Sequence, residues 1–136
     1  EELKTENLLQ LKRFNIKEIK VNKEYWSSES GEYKLNDLII QHGDGRLNGA
    51  KYSQNPGYAV YNTMKMKGDK NLIIGHVHRL AQIYNKIGDK GIVGIEGGCL
   101  CKQTRANWQQ GFTTFENDKN KTFNYRIYKI NGGEIE

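Results

Sequence analysis

His42, His76 and His78 are the only histidines in this chain of 136 residues, and each lies just past a Leu-Ile-Ile run. The first sits in "DLIIQHGDG" and the other two in "NLIIGHVHRL". Imidazole is the commonest side-chain ligand for divalent metals, so a cluster of histidines points to metal chemistry. In an extended chain, residues two apart point the same way. The His76 and His78 Cα atoms would then lie about 6.6 Å apart, from a rise of about 3.3 Å per residue. That span suits two imidazoles reaching one ion, or two ions held about 3.5–4 Å apart. Gly75 permits the bend that would turn the pair toward a shared site. The competing reading is three ordinary strand-end histidines, each satisfied by a backbone carbonyl. Three placed by two separate motifs favour ligation.

The elements around them decide whether they meet. Both Leu-Ile-Ile runs read as strands buried on both faces, over 38–42 and 72–76. Between them, "NPGYAVYNTMKMKGDKN" carries helix punctuation: Asn55 to cap, Pro56 at the first helical position and Gly68 to stop. The spacing predicts a helix over 56–67 with Val60, Tyr61 and Met64 facing the core. Strand, helix and strand make a β-α-β crossover, and the intervening stretch exceeds the dozen or so residues that a parallel connection needs. In such a sheet, ligands gather at the carboxyl ends of the strands. His42 and His76, at matching distances past their trios, should emerge there together.

The flanks are simpler. Leu3, Leu8, Leu9, Leu11 and Phe14 predict an amphipathic helix over 2–14, and "NIKEIKVNKEYW" predicts a strand. After the second buried strand, "AQIYNKI", "GIVGIEGG", "QGFTTFEN" and "FNYRIYKI" alternate between turn residues and predict an antiparallel meander with a polar outer face. No repeat or linker appears, so residues 1–136 read as a single domain of class α/β (α+β).

Hydrophobic residues make up 36% of the chain and charged residues 27%, which is the composition of a globular protein. No apolar run approaches the roughly 18 residues of a membrane helix, so the expectation is a cytoplasmic protein with no membrane partner. The net charge of +5 comes from dispersed lysines and favours an anionic partner only mildly. The first residue is Glu1, within a helical pattern, which reads as a piece of a longer or processed chain.

Cys99 and Cys101 lack a second Cys or His pair at finger-like spacing, and a disulfide between them would be strained. They read as reduced structural thiols. Tyr52, Tyr58 and Tyr61, with Lys51, have the composition of a nucleic-acid groove but no recognisable module, and read as packing residues. Arg46 and Arg79 each lie near one histidine motif, placed to meet a phosphate oxygen or to pair with a carboxylate. Asp44 is placed to orient a ligand imidazole.

Together, "LIIQHGDG" and "NLIIGHVHR" resemble the last two metal motifs of the calcineurin-like metallophosphoesterases: a strand ending in H-G, then one ending in G-H-x-H. The likeness spans roughly residues 35–115. The intervening helix and the trailing "GGCLC" and "WQQGF" are similar to phage and bacterial members. It implies a β-sandwich flanked by helices and hydrolysis of phosphate mono- or diesters, with nucleic acid or nucleotides among the substrates. It further implies two divalent ions (Mn²⁺, Zn²⁺ or Fe), one on His42 and His76 and the other on His78. The family's D-x-H, G-D-x-x-D and G-N-H-[DE] motifs are absent. Asp44, Asp69 and Asp89 each follow a glycine, but none has a second Asp three residues later. The chain therefore resembles the C-terminal half of such an enzyme, inactive until an N-terminal half is supplied in cis or as a separate chain. The alternative is a non-catalytic metal-binding or partner-binding module, a degenerate half-enzyme.

Overall fold

The computed structural model describes residues 13, 32–42, 55–117 and 123–136. Apart from Arg13, the expected helix over 2–14 lies outside these residues, as do the strand after it and Asp44, Arg46, Lys51 and Tyr52. Among the described residues, eight strands and one helix follow in chain order: β1 (Glu32–Leu35), β2 (Leu38–Gln41), α1 (Tyr58–Lys67), β3 (Asn71–Ile74), β4 (Leu80–Ile87), β5 (Lys90–Gly97), β6 (Gly111–Asn117), β7 (Phe123–Asn131) and β8 (Glu134–Ile135).

The predicted crossover forms. β2 and β3 are parallel neighbours, and β5 joins β3 in parallel on its far side. Antiparallel β1 and β4 flank them, giving the order β1-β2-β3-β5-β4. Three parallel strands in the middle must be covered on both faces, which is why their sequences are continuous apolar runs. On one face Ile39, Leu72, Ile74 and Ile92 pack against Val60 and Met64 of α1. On the other, Leu38, Ile73, Val93 and Ile95 pack against Phe123, Tyr125 and Ile127 of β7. The result is three layers: helix, mixed sheet, antiparallel sheet.

The expected meander is divided between two sheets. β4 and β5 pair with each other, but β5 also pairs with β3, so it is buried in the first sheet and has no polar outer face. β6, β7 and β8 form the second sheet. The register also differs from the expected match. Ile39 pairs with Leu72 and Gln41 with Ile74, so the two Leu-Ile-Ile trios are staggered by one residue.

Helix α1 starts two residues later than expected. Gly57, at φ 82°, is its N-cap and gives no side-chain hydrogen bond. The help comes from another element: Val60 N–H donates to the Glu96 carboxylate of β5, at 3.4 Å. A negative charge near the first turn suits the helix dipole, and Lys65 and Lys67 suit its last turn. Lys67 forms a buried ion pair with Glu32, tying the helix end to β1. Val60 and Met64 are fully buried as expected, Tyr61 is half-buried, and Thr63 takes the remaining inward position.

At the amino ends of the parallel strands, Asp37 accepts from Lys70 and Lys90, each at 3.1 Å. The hydrogen bonds from Lys70 and then Lys90 hold its carboxyl below the ordinary value of 3.8, against the smaller opposing effect of burial. A carboxylate with a depressed folded pKa stabilises the fold above its unfolded pKa, and this is lost as pH falls through the folded value. Asp37→Asn should therefore lower stability at neutral pH, with the gap to wild type closing in acid. Urea unfolding at several pH values tests this, and a gap unchanged down to about pH 2 would contradict it.

Candidate metal centre

The parallel strands deliver their loops to one edge. β2 ends at Gln41, β3 at Ile74 and β5 at Gly97, so His42, the segment 75–79 and the segment 98–101 emerge side by side. An open cleft of about 520 Å³ lies between these ends and β6, with His42, Gly75, Cys99 and Phe112 in its lining.

His42 and His76 meet there. Despite the stagger of the strands, His76 Nδ1 lies 2.8 Å from His42 Nε2, with the rings edge to face and 4.7 Å between centroids. Two nitrogens on one tetrahedral ion, each about 2.05 Å from it, would lie about 3.3 Å apart. A few tenths of an ångström convert this contact into a ligand pair, so the residues present fit a divalent ion.

His76 and His78 do not share a direction, because the chain between them is not extended. Both have left-handed backbone, at φ 64° and 57°, and Val77 N–H donates to Gly75 O at 2.7 Å. The bend expected at Gly75 is made by the histidines themselves. It turns His78 away from His76 and onto Trp108, with 4.1 Å between ring centroids. There His78 Nδ1 lies 3.7 Å from Cys101 Sγ. The ligand atoms of His78, Cys99 and Cys101 all lie within 4.8 Å of one another. Among the described residues this is where three or more His, Cys, Asp or Glu side chains converge. The sequence reading of the cysteines as structural thiols on one strand face thus misses their third neighbour. Both are free, Cys99 partly buried and Cys101 exposed. Burial pushes the Cys99 thiol up, and its hydrogen bonding with Cys101 adds to this.

One residue absent from the sequence-level list organises this edge. Gln109 donates its backbone N–H to His78 O at 2.8 Å and accepts at its own carbonyl from Cys99 N–H at 3.2 Å. Its side-chain carbonyl accepts from Leu80 N–H at 2.9 Å. Gln109 therefore fixes the histidine and cysteine segments to each other. Gly98, at φ 76°, turns the chain out of β5 so that Cys99 can bridge to Gln110.

Arg79 faces the interior. It is 4% exposed, and its Nε donates to Glu96 Oε2 at 3.2 Å, beside the start of α1. Of the two partners expected for it, phosphate or carboxylate, the structure shows a carboxylate, and a buried one. Arg79 holds the end of the histidine loop in place.

No family model matches the sequence, and no curated protein matches it. Solved structures do. Vps29 from Entamoeba histolytica, complexed with Zn²⁺, aligns over 98% of this chain and 74% of that one, with a TM-score of 0.52 and 18% identity. The fold is metallophosphoesterase-like. A single mutant of the same protein aligns with a TM-score of 0.46 and 17% identity, over 77% of this chain. The present chain spans 56% of that mutant's length. Among the described residues, no helix of this metallophosphoesterase-like sandwich is long and apolar enough to cross a membrane.

Proposed function

We propose that the chain supplies the histidine side of a metal-dependent phosphoesterase centre acting on phosphate mono- or diesters. The observation that carries this is the His42–His76 contact, two imidazole nitrogens 2.8 Å apart at the carboxyl edge of a parallel sheet. His42 and His76 would hold one ion and His78 the other. A solved structural neighbour in complex with Zn²⁺ adds support. Bound divalent ions (Mn²⁺, Zn²⁺ or Fe) would supply Lewis acidity, a lowered pKa for water and charge to offset a phosphoryl group. The chain's own residues orient. Gln109 and the buried Arg79–Glu96 pair fix the histidine loop, while Asp44 would steady an imidazole and Arg46 would meet a phosphate oxygen. Substrates of this class include nucleic acids and nucleotides in the cytoplasm.

Carboxylate ligands would come from an N-terminal half, in cis or as a separate chain. Joined to a segment with D-x-H, G-D-x-x-D and G-N-H-[DE], the chain should hydrolyse a generic phosphodiester with Mn²⁺. His42→Ala should lower that rate by on the order of a hundredfold, since losing a ligand costs at least what losing its supporting contacts does. Turnover indifferent to His42→Ala would sink the proposal. Residues 1–136 alone should bind Zn²⁺ or Mn²⁺ but turn over barely above background. Their affinity should fall below about pH 6, where protons compete for imidazole. A non-catalytic metal-binding module is the second reading. It is favoured by the donors that converge among the described residues, which are nitrogen and sulfur with no carboxylate. The joined chain separates the two readings, because a module would bind metal without turnover.

A further inference from the structure

We propose that His78, Cys99 and Cys101 form a zinc site of their own, with two sulfur ligands and one nitrogen ligand. This deepens the preceding reading and rests on it only in giving His78 to a different ion from His42 and His76.

The geometry comes first. Zinc binds sulfur at about 2.3 Å and nitrogen at about 2.05 Å, so tetrahedral angles put an N···S pair about 3.5 Å apart and an S···S pair about 3.8 Å apart. His78 Nδ1 and Cys101 Sγ are 3.7 Å apart, and no pair among the three ligand atoms exceeds 4.8 Å. One ion therefore fits between them after small side-chain rotations. Three protein ligands leave a fourth tetrahedral position open to water or a substrate oxygen.

The ligands are also held in place, and by one segment, residues 108–111, that leads into β6. Gln109 pins the backbone of His78 on one side and that of Cys99 on the other. Gly111 N–H donates to Cys99 O at 2.9 Å, and the Gln110 side chain donates to Cys101 O at 2.9 Å. Trp108 packs against the His78 ring and limits its rotation. Residues 108–111 thus clamp all three ligands before any ion arrives. Such preorganisation reduces the ordering cost of binding.

The donor set selects the ion. Two thiolates with one imidazole prefer zinc over manganese or magnesium, which favour oxygen donors. The chain would then carry two unlike metal positions at one edge, an imidazole pair at His42–His76 and a sulfur-rich position at His78.

Cobalt(II) reports thiolate ligation directly. Added to reduced residues 1–136 under anaerobic conditions, Co²⁺ should give thiolate-to-cobalt charge-transfer absorption in the near ultraviolet, which Zn²⁺ then abolishes. Cys101→Ser should remove about half of that absorption and weaken Co²⁺ binding at least tenfold, since one of the two thiolates is gone. Cys101 is exposed, so serine there should leave the circular dichroism spectrum unchanged. His42→Ala should leave the absorption intact. No charge-transfer absorption in wild type with both thiols reduced would overturn the proposal, as would absorption unchanged in Cys101→Ser. Absorption retained while the chain joined to its N-terminal half shows no phosphodiester turnover would overturn the hydrolytic reading and leave this site standing.

Discussion

Replacing Glu96 with alanine should destabilise the fold by about 3–5 kcal/mol, the cost of removing one partner from a buried ion pair. Glu96 is 0% exposed and ends the apolar run Ile92–Ile95 of β5. Its two oxygens serve two elements. Oε2 accepts from Arg79 at 3.2 Å, and Oε1 accepts from Val60 N–H in the first turn of α1. Alanine deprives a buried guanidinium of this carboxylate and the helix start of its acceptor. Removing both charges with Arg79→Met and Glu96→Leu should cost less than Glu96→Ala alone, because no buried charge is left behind. Urea unfolding of the single and double variants measures the difference. A loss below about 1 kcal/mol for Glu96→Ala would mean that water reaches the pair, as in an exposed salt bridge. The effect should extend to the site, since Arg79 directly follows His78.

Gly94→Ala is the second large effect. Helix α1 lies so close to β5 that a Cβ at position 94 would come 2.8 Å from Val60 Cγ2 and closer still to Met64 Sδ. Both side chains are fully buried and have little room to retreat. Overpacking of this kind costs about 1–3 kcal/mol, and valine at the same place should cost more. Met64→Ala alone should cost about 2–5 kcal/mol through the cavity it leaves. Together the two changes should cost less than their sum, because the new methyl occupies the vacated space. Strict additivity would show that helix and strand do not approach as closely as described.

The β-α-β unit was legible because burial on both faces demands uninterrupted apolar strands, and "DLIIQ" and "NLIIG" meet that demand at a spacing that leaves room for a helix. The stagger of the trios was not legible. A parallel pair sets its register through packing against α1 and β7, far away in sequence. The two-sheet division was hidden for a related reason. The segments from β4 to β7 all alternate with turns between them, and nothing local says that β5 pairs with β3 as well as with β4. Convergence of the histidines at one edge was readable from topology, but their directions were not, because left-handed backbone at His76 and His78 removes the extended-chain rule. In the sequence Cys99 and Cys101 stand as an isolated pair, and their neighbour His78 reaches them only through the β3–β5 pairing. One overlooked signal was present all along: Glu96 in "GIVGIEGG", a lone carboxylate ending an apolar run, needs a buried cation. Arg79, beside the histidine motif, was available to provide it.

The left-handed turn at this edge bears on how such a site persists through sequence drift. Elsewhere among the described residues, positive φ falls on Gly57, Gly68, Gly88, Gly98, Gly132, Gly133 and Asn36. Those are the residue types that tolerate it best. His76 and His78 are the exceptions, and each bears a backbone cost of about 1 kcal/mol that glycine would avoid. A lineage judged on folding alone would drift toward glycine at both positions, and a thermostability screen blind to metal would erase the imidazoles. If they bind metal as proposed, the backbone preference and the side-chain chemistry pull in opposite directions here, and these two histidines mark where the fold would give up stability for a ligand.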